Sequence, residues 1–444
     1  MSLKAFRGEI LHFTQDPALT SCQNNEQDEA QSSHQYFKDG VLLIENGKVK
    51  QLGSAEAILV NLDSAIVVTH IKNGLIVPGF IDTHIHYPQT EMIGSYGEQL
   101  LQWLEDYTFP TEKKFADKVY ASKISEFFLN QLLTNGTTTA LVFGSVHPES
   151  VDAFFEVALR KNLRMIAGKV MMDRNAPDDL TDTAQSSYDD SKQLIEHWHG
   201  KGRLQYAVTP RFAPTSSDKQ LSMAGQLLKE HPGVYMQTHL SENLKEIEWV
   251  KSLNPDCKNY LDVYKKHELL GERSVFAHGI HLCEAEYCDL AESNSALSFC
   301  PTSNLFLGSG LFKLDVAQQH NIKVGLGTDI GAGTSFSILE TLKDAYKTQQ
   351  LRGKKLDSLQ SFYLATLGGA RALDLEGTIG NFLPGCEADF IVLDYHATPL
   401  IKLRLEQCQT LAEKLFSFTI LGDDRAVKAT YIQGELAEIY RDEY

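Results

Sequence analysis

Two histidines one residue apart, His84 and His86, close the apolar run "PGFIDTHIH" at 78–86. Alternate side chains of an extended strand share a face, so both imidazoles point the same way, with Asp82 in the same row. Paired imidazoles suit a metal ion better than an apolar core. Further along, three more apolar runs carry a ligand-type residue at or near their ends: His239 in "VYMQTHL", His278 in "SVFAHGI" and Asp329 in "KVGLGTD". Neutral imidazoles with an ionised carboxylate form a donor set for Zn²⁺ or Fe²⁺. Each residue also has an ordinary reading. His278 would serve as a hydrogen-bonded core or surface histidine, and Asp329 as a helix N-cap. Their shared position at the same end of successive strands favours a metal site.

Such a site needs elements that bring distant residues together. Apolar, β-branched runs recur at 79–84, 137–144, 164–172, 204–210, 234–240, 274–280, 296–301 and 323–329. Stretches of helical spacing separate them, for example Tyr120, Ile124, Phe127, Phe128 and Leu132 before Gly136 as a C-cap residue. Strands that are apolar throughout and alternate with helices form parallel sheets covered on both faces. A doubly wound sheet is one solution. The count of eight favours a (β/α)₈ barrel, whose chemistry sits at the C-terminal ends of its strands. The chain ends are β-like instead. "GVLLIENGKVKQLGS" is a hairpin pattern around Asn46–Gly47, and 380–394 and 426–440 also read as strands. Residues 1–73 and 377–444 are expected to form a composite β-sandwich domain beside a barrel domain at 74–376. The polar stretch 14–35 reads as a loop.

The composition, 43% hydrophobic and 22% charged over 444 residues, is that of a globular protein. A net charge of −17 argues against a nucleic-acid backbone as partner but leaves a free nucleobase open. No run approaches the roughly 20 apolar residues that span a bilayer, so no membrane partner is expected. The start lacks a signal-peptide pattern, and the seven scattered cysteines read as reduced thiols, which makes the cytoplasm the expected location. No P-loop, G-x-G-x-x-G, G-x-S-x-G or H-x-E…P-C-x-x-C pattern occurs.

"PGFIDTHIH", "THLSE" (238–242), "AHG" (277–279) and "GLGTD" (325–329) together resemble the amidohydrolase superfamily. "LPGCEADFIVLD" is similar to the return of that superfamily into its flanking sandwich. The resemblance implies one metal ion, Zn²⁺ or Fe²⁺, held by His84, His86, His239 and Asp329, with His278 close by. The fourth strand ends "TPRF" without the lysine of dinuclear members. A narrower resemblance, to the guanine deaminases, rests on "HYPQTE", "YGEQLLQWLEDYTFPTE", "PRFAPTSS", "HLSEN" and "CPTSNLFLGSG". It implies hydrolysis of guanine to xanthine and ammonia by a metal-activated water. Glu242 would be the proton shuttle, against the plain reading of a helix first-turn acid. Asp329 would also accept a proton, and His278 would orient the attacking group. Gln89, Arg211 and Phe212 would recognise the purine, Arg211 by donating to O6 and Phe212 by stacking, unless Phe212 is a plain core aromatic. Trp103 would add a contact from the aromatic-rich segment 87–112, a lid or alternatively a subunit interface. A homodimer is also implied. Another hydrolase of the superfamily acting on a pterin or triazine, and a scaffold without activity, are the competing readings.

Overall fold

A computed structural model describes residues 3–20, 33–96 and 99–440. The chain opens with β1 (Leu3–Phe13), β2 (His34–Glu45), β3 (Lys48–Ser54) and β4 (Val68–Pro78). There follow β5 (Phe80–His86), β6 (Thr137–Phe143), β7 (Arg164–Gly168), β8 (Val170–Met171), β9 (Gln205–Pro210) and β10 (Tyr235–Leu240). Next come β11 (Ser274–His278), β12 (Ala296–Phe299) and β13 (Lys323–Leu326), and then β14 (Phe390–Asp394), β15 (Val427–Ile432) and β16 (Glu435–Leu436). Of the expected loop at 14–35, residues 21–32 lie outside the described residues. Among those described, no helix is long and apolar enough to cross a membrane.

The parallel sheet runs β13-β12-β11-β10-β9-β7-β6-β5, with β8 paired to β9. Its two outer strands, β13 and β5, come together, so the sheet is a nearly closed eight-stranded barrel. The Thr83 hydroxyl donates to the Leu326 carbonyl at 3.0 Å. Past β13, the Asp329 amide reaches His84 O and the His86 amide reaches Ile330 O, both at 3.0 Å. A Cβ on Gly325 would lie 2.3 Å from Thr83 Cγ2, so only glycine permits this approach. The strands are buried on both faces, as near-continuous apolar runs require.

Helices cover the barrel. The helix Lys118–Thr134 starts at Asp117, whose carboxylate accepts from the Val119 and Tyr120 amides, and ends before Gly136 at φ +80°. It buries Phe128, Leu129, Leu132 and Leu133 against the barrel, each contributing roughly 1.5–3 kcal/mol.

The two chain ends build one seven-stranded sheet, β16-β15-β14-β4-β1-β2-β3. It is antiparallel except for β1 with β4. The hairpin β2–β3 turns at Asn46 and Gly47, both left-handed (φ +52° and +78°). Rather than two separately bonded sheets, this one sheet curls. Val49 N donates to Cys386 O and Gly385 N to Val49 O, both at 2.8 Å, enclosing a small core of Phe6, Ile44, Phe382 and Phe390. A second expectation also changes. The run 164–172 breaks into β7 and β8 at Lys169, whose buried ammonium ion-pairs with Asp182.

Candidate active site

β5 delivers His84 and His86 to the barrel mouth, and β10 delivers His239. His86 Nε2 lies 3.2 Å from both His84 Nε2 and His239 Nε2. Asp329 Oδ1 lies 3.2 Å from His84 Nε2 and 3.4 Å from His86 Nε2. The His239 Nδ1–H donates to the Arg211 carbonyl at 2.7 Å, which leaves the lone pair on Nε2 facing inward. Ligand nitrogens about 2.05 Å from a tetrahedral ion lie roughly 3.3 Å apart. The spacing therefore fits a divalent cation held among these side chains, and the His/Asp set is a possible metal site.

Burial keeps His86 and His239 neutral, as ligation requires. His86 is lowered to about 4 by burial, against the pull of Asp329. His239 is driven well below its ordinary value by burial and by the neighbouring histidines. Burial alone would raise Asp329, yet His84, His86 and His278 hold it well below the usual carboxylate range. Asp82 stays out of the cluster. It accepts from Thr328 Oγ1 (2.5 Å), Thr328 N (3.2 Å) and His84 N (3.1 Å), and so fastens the loop after β13 to β5.

Glu242 and His278 complete this end. His278 Nε2 lies 3.4 Å from Glu242 Oε2 and 3.9 Å from Asp329 Oδ2. Ser309 Oγ donates to Glu242 Oε1 at 2.9 Å. Burial, then the Asp329 and Glu246 charges, push Glu242 well above the ordinary carboxylate range. The Asn304 amide nitrogen faces His278 Nδ1 at 2.9 Å, an orientation that places the ring proton on Nε2, which has no hydrogen-bond partner among the described residues. Ser241, His278 and Asp329 all adopt left-handed backbone (φ +48°, +70° and +53°), costing of order 1–2 kcal/mol each. The ordinary readings of two residues fall away. The helix after Asp329 starts at Ile338 with Ser337 as its N-cap, and Glu242 precedes Asn243, the N-cap of Leu244–Leu253. The first-turn acid there is Glu246, which accepts from the Glu242 and Asn243 amides.

The other end of the pocket is lined by Gln89, Trp103, Thr108, Arg211 and Phe212. Trp103 and Thr108 belong to a helical stretch formed by Leu100–Trp103, a π-helical turn at Leu104–Thr108, and Phe109–Glu112. The aromatic-rich segment 87–112 divides. Trp103 faces the pocket, Phe109 lies under the Arg211 guanidinium at 5.7 Å, and Tyr87 packs into the core against Phe115 and Phe154. Phe212 is buried but lines the pocket rather than the core. Arg211 spans both ends, its carbonyl holding His239 and its side chain reaching the pocket.

Two residues at this end escape sequence reasoning. Glu112 is fully buried behind the pocket, accepting from Gln89 Nε2 at 3.0 Å and Arg211 Nη1 at 2.7 Å. Thr108 is fully buried, and its hydroxyl has no hydrogen-bond partner among the described residues. The only advance signal for Glu112 is an acid within the motif "FPTE".

Residues 75–437 match the amidohydrolase family. The chain is 56% identical to the guanine deaminase of Escherichia coli over 435 residues, 98% of each chain. The solved structure of E. coli guanine deaminase matches with TM-score 0.94 and 53% identity, covering 99% of this chain and 100% of that one. The crystal structure of guanine deaminase from C. acetobutylicum with bound guanine in the active site matches with TM-score 0.87 and 31% identity, covering 98% and 100%.

Proposed function

The chain belongs to the amidohydrolase family and, within it, to the guanine deaminases; from that premise we infer that it hydrolyses guanine to xanthine and ammonia in the pocket at the barrel mouth. One observation carries the reading beyond kinship. A His/Asp cluster of ligand spacing shares a single pocket with an arginine and a glutamine suited to a purine edge.

We propose His84, His86, His239 and Asp329 as holders of one Zn²⁺, with Fe²⁺ the alternative. When bound, such an ion lowers the pKa of a water molecule to about 7. Glu242, beside His278 and Ser309, would take a proton from the water that attacks C2 and pass it to a purine nitrogen. The second proton, from the new C2 hydroxyl, would go to the amine, whose C–N bond then breaks to release ammonia. His278, with a proton on Nε2, donates to the oxygen that builds up charge at C2. Asp329, held ionised, serves as a further proton acceptor.

At the far end, Arg211 keeps donors for O6. Adenine carries an amine there and would leave a buried donor unpaired, at a cost of about 1–3 kcal/mol. Gln89 has one amide hydrogen and one lone pair left after its bonds to Glu112 and to the Gly331 amide (3.1 Å). Phe212 and Trp103 close on the ring faces. We further propose a homodimer, supported by the family resemblance, and a cytoplasmic location, supported by the free thiols of the six described cysteines. Sedimentation at the mass of one chain would overturn the dimer.

The test is ammonia and xanthine formation over a panel of nucleobases and triazines, with and without chelation. Guanine is expected to be the best substrate, and chelation to abolish turnover until Zn²⁺ is restored. Full activity in chelated protein, or a triazine or cytosine outrunning guanine, would overturn the reading.

A further inference from the structure

We propose that Glu112 is the positioning residue for recognition of the purine O6, an inference that rests on the reading of guanine as substrate. Glu112 does not line the pocket, but both of its partners do. Each carboxylate oxygen takes one partner, Oε1 the Gln89 amide nitrogen and Oε2 Arg211 Nη1. No water-facing route exists for this charge, since the side chain is wholly buried.

This arrangement decides which atoms reach the ligand. A glutamine amide can turn end for end at almost no cost unless its partners differ. Here a carboxylate, which only accepts, faces Nε2, and the Gly331 amide, which only donates, faces Oε1. Gln89 is therefore held in one orientation. Arg211 has five N–H donors. Spending one Nη1 donor on Glu112, with Phe109 beneath the guanidinium plane, fixes the direction of the others. Phe109 and Glu112 stand three residues apart in one short helix, so a single element supplies both supports. A carboxylate serving only to neutralise a buried arginine would need no bond to Gln89.

The decisive measurement compares two competitive inhibitors without a C2 amine, hypoxanthine, which carries O6, and purine, which does not. The ratio of their inhibition constants reports recognition of the O6 edge, where hypoxanthine presents O6 with its adjoining N1–H and purine presents neither. Wild type is expected to prefer hypoxanthine strongly. E112Q, placing an amide NH₂ against one of two donors, is expected to shrink that ratio by about ten-fold or more. Its metal content should match wild type, and KM for guanine should rise more than kcat falls. E112D keeps the charge and so remains folded where the neutral variant does not. Its shorter stem cannot serve both partners, and the ratio is expected to fall by an intermediate amount. If either folded, metal-loaded variant keeps the wild-type ratio, or weakens both inhibitors equally, the positioning role is overturned. Failure of wild type to deaminate guanine would instead overturn the functional reading, independently of this ratio.

Discussion

At the proposed metal end of the pocket, three imidazole nitrogens and a carboxylate crowd within 3.2–3.4 Å of their neighbours. At the recognition end, Gln89, Glu112 and Arg211 satisfy one another before any ligand arrives. The first set is complete only with something supplied from outside. The second is complete alone and offers its remaining donors in fixed directions. Barrel strand ends and their loops build the one, whereas a helical segment laid over the mouth contributes Glu112 to the other. The contrast suggests that affinity for the ion and selectivity for the base can be broken separately, although Arg211 physically touches both.

Asp329→Asn should give the largest effect. It removes the only carboxylate of the proposed ligand set, and metal content and guanine turnover should both fall to background. Elemental analysis beside an ammonia assay checks it, and near-stoichiometric metal in the variant would remove Asp329 from the set. Glu242→Gln should separate chemistry from binding. Metal content is expected to stay at the wild-type level while kcat falls by about 10²–10⁴-fold, the usual worth of a proton-transfer group. Activity within a few-fold of wild type would break the shuttle assignment.

The recognition end should respond in stability as well as selectivity. Arg211→Met leaves Glu112 buried without its cation, an expected loss of about 3–5 kcal/mol in urea denaturation. Adding Glu112→Leu should restore most of that stability, because an apolar pair replaces a buried ion pair with little net cost. Neither variant should regain preference for an O6-bearing base. A double variant no more stable than the single one would show that the pair is not the source of the strain.

The same contrast explains what the sequence revealed. His84 and His86 were legible because strand periodicity puts them on one face, and His239, His278 and Asp329 because each sits at or just beyond the end of an apolar run. The barrel was legible in the count of those runs. Glu112 was not, because an acid in a short helix ordinarily faces solvent. Its burial depends on Arg211, 99 residues away. Thr108 depends on a π-helical turn that no local pattern announces. The curl of the terminal sheet rests on contacts such as Val49 with Cys386, which local patterning does not encode. Lys169 interrupted a strand for a tertiary reason, its ion pair with Asp182.

The neutral imidazoles give a pH dependence that sharpens the comparison. Burial lowers His86 to about 4 and His278 to about 3, below the ordinary value of 6.5. The unfolded chain therefore binds more protons once pH falls below about 6.5. The stabilising contribution is present above that pH and is lost as pH falls toward the folded values, at about 1.4 kcal/mol per pH unit for each histidine. Chelated protein should thus show a lower urea midpoint at pH 5 than at pH 7, and His278→Gln should reduce the difference. An unchanged difference would mean that His278 is not held neutral.

Thr108→Val carries the smallest expected effect. The hydroxyl of Thr108 is buried, lines the pocket and finds no partner among the described residues. A buried unpaired hydroxyl costs the folded protein about 1–3 kcal/mol unless a ligand satisfies it. Valine has nearly the same shape without the polar atom. If the purine edge supplies the missing partner, KM for guanine should rise about five-fold, worth roughly 1 kcal/mol. The melting temperature should hold or rise slightly, because the free protein no longer buries an unpaired group. A lower melting temperature with unchanged KM would mean that the hydroxyl is satisfied within the fold. Recognition would then rest on the Gln89–Glu112–Arg211 set and the aromatic walls.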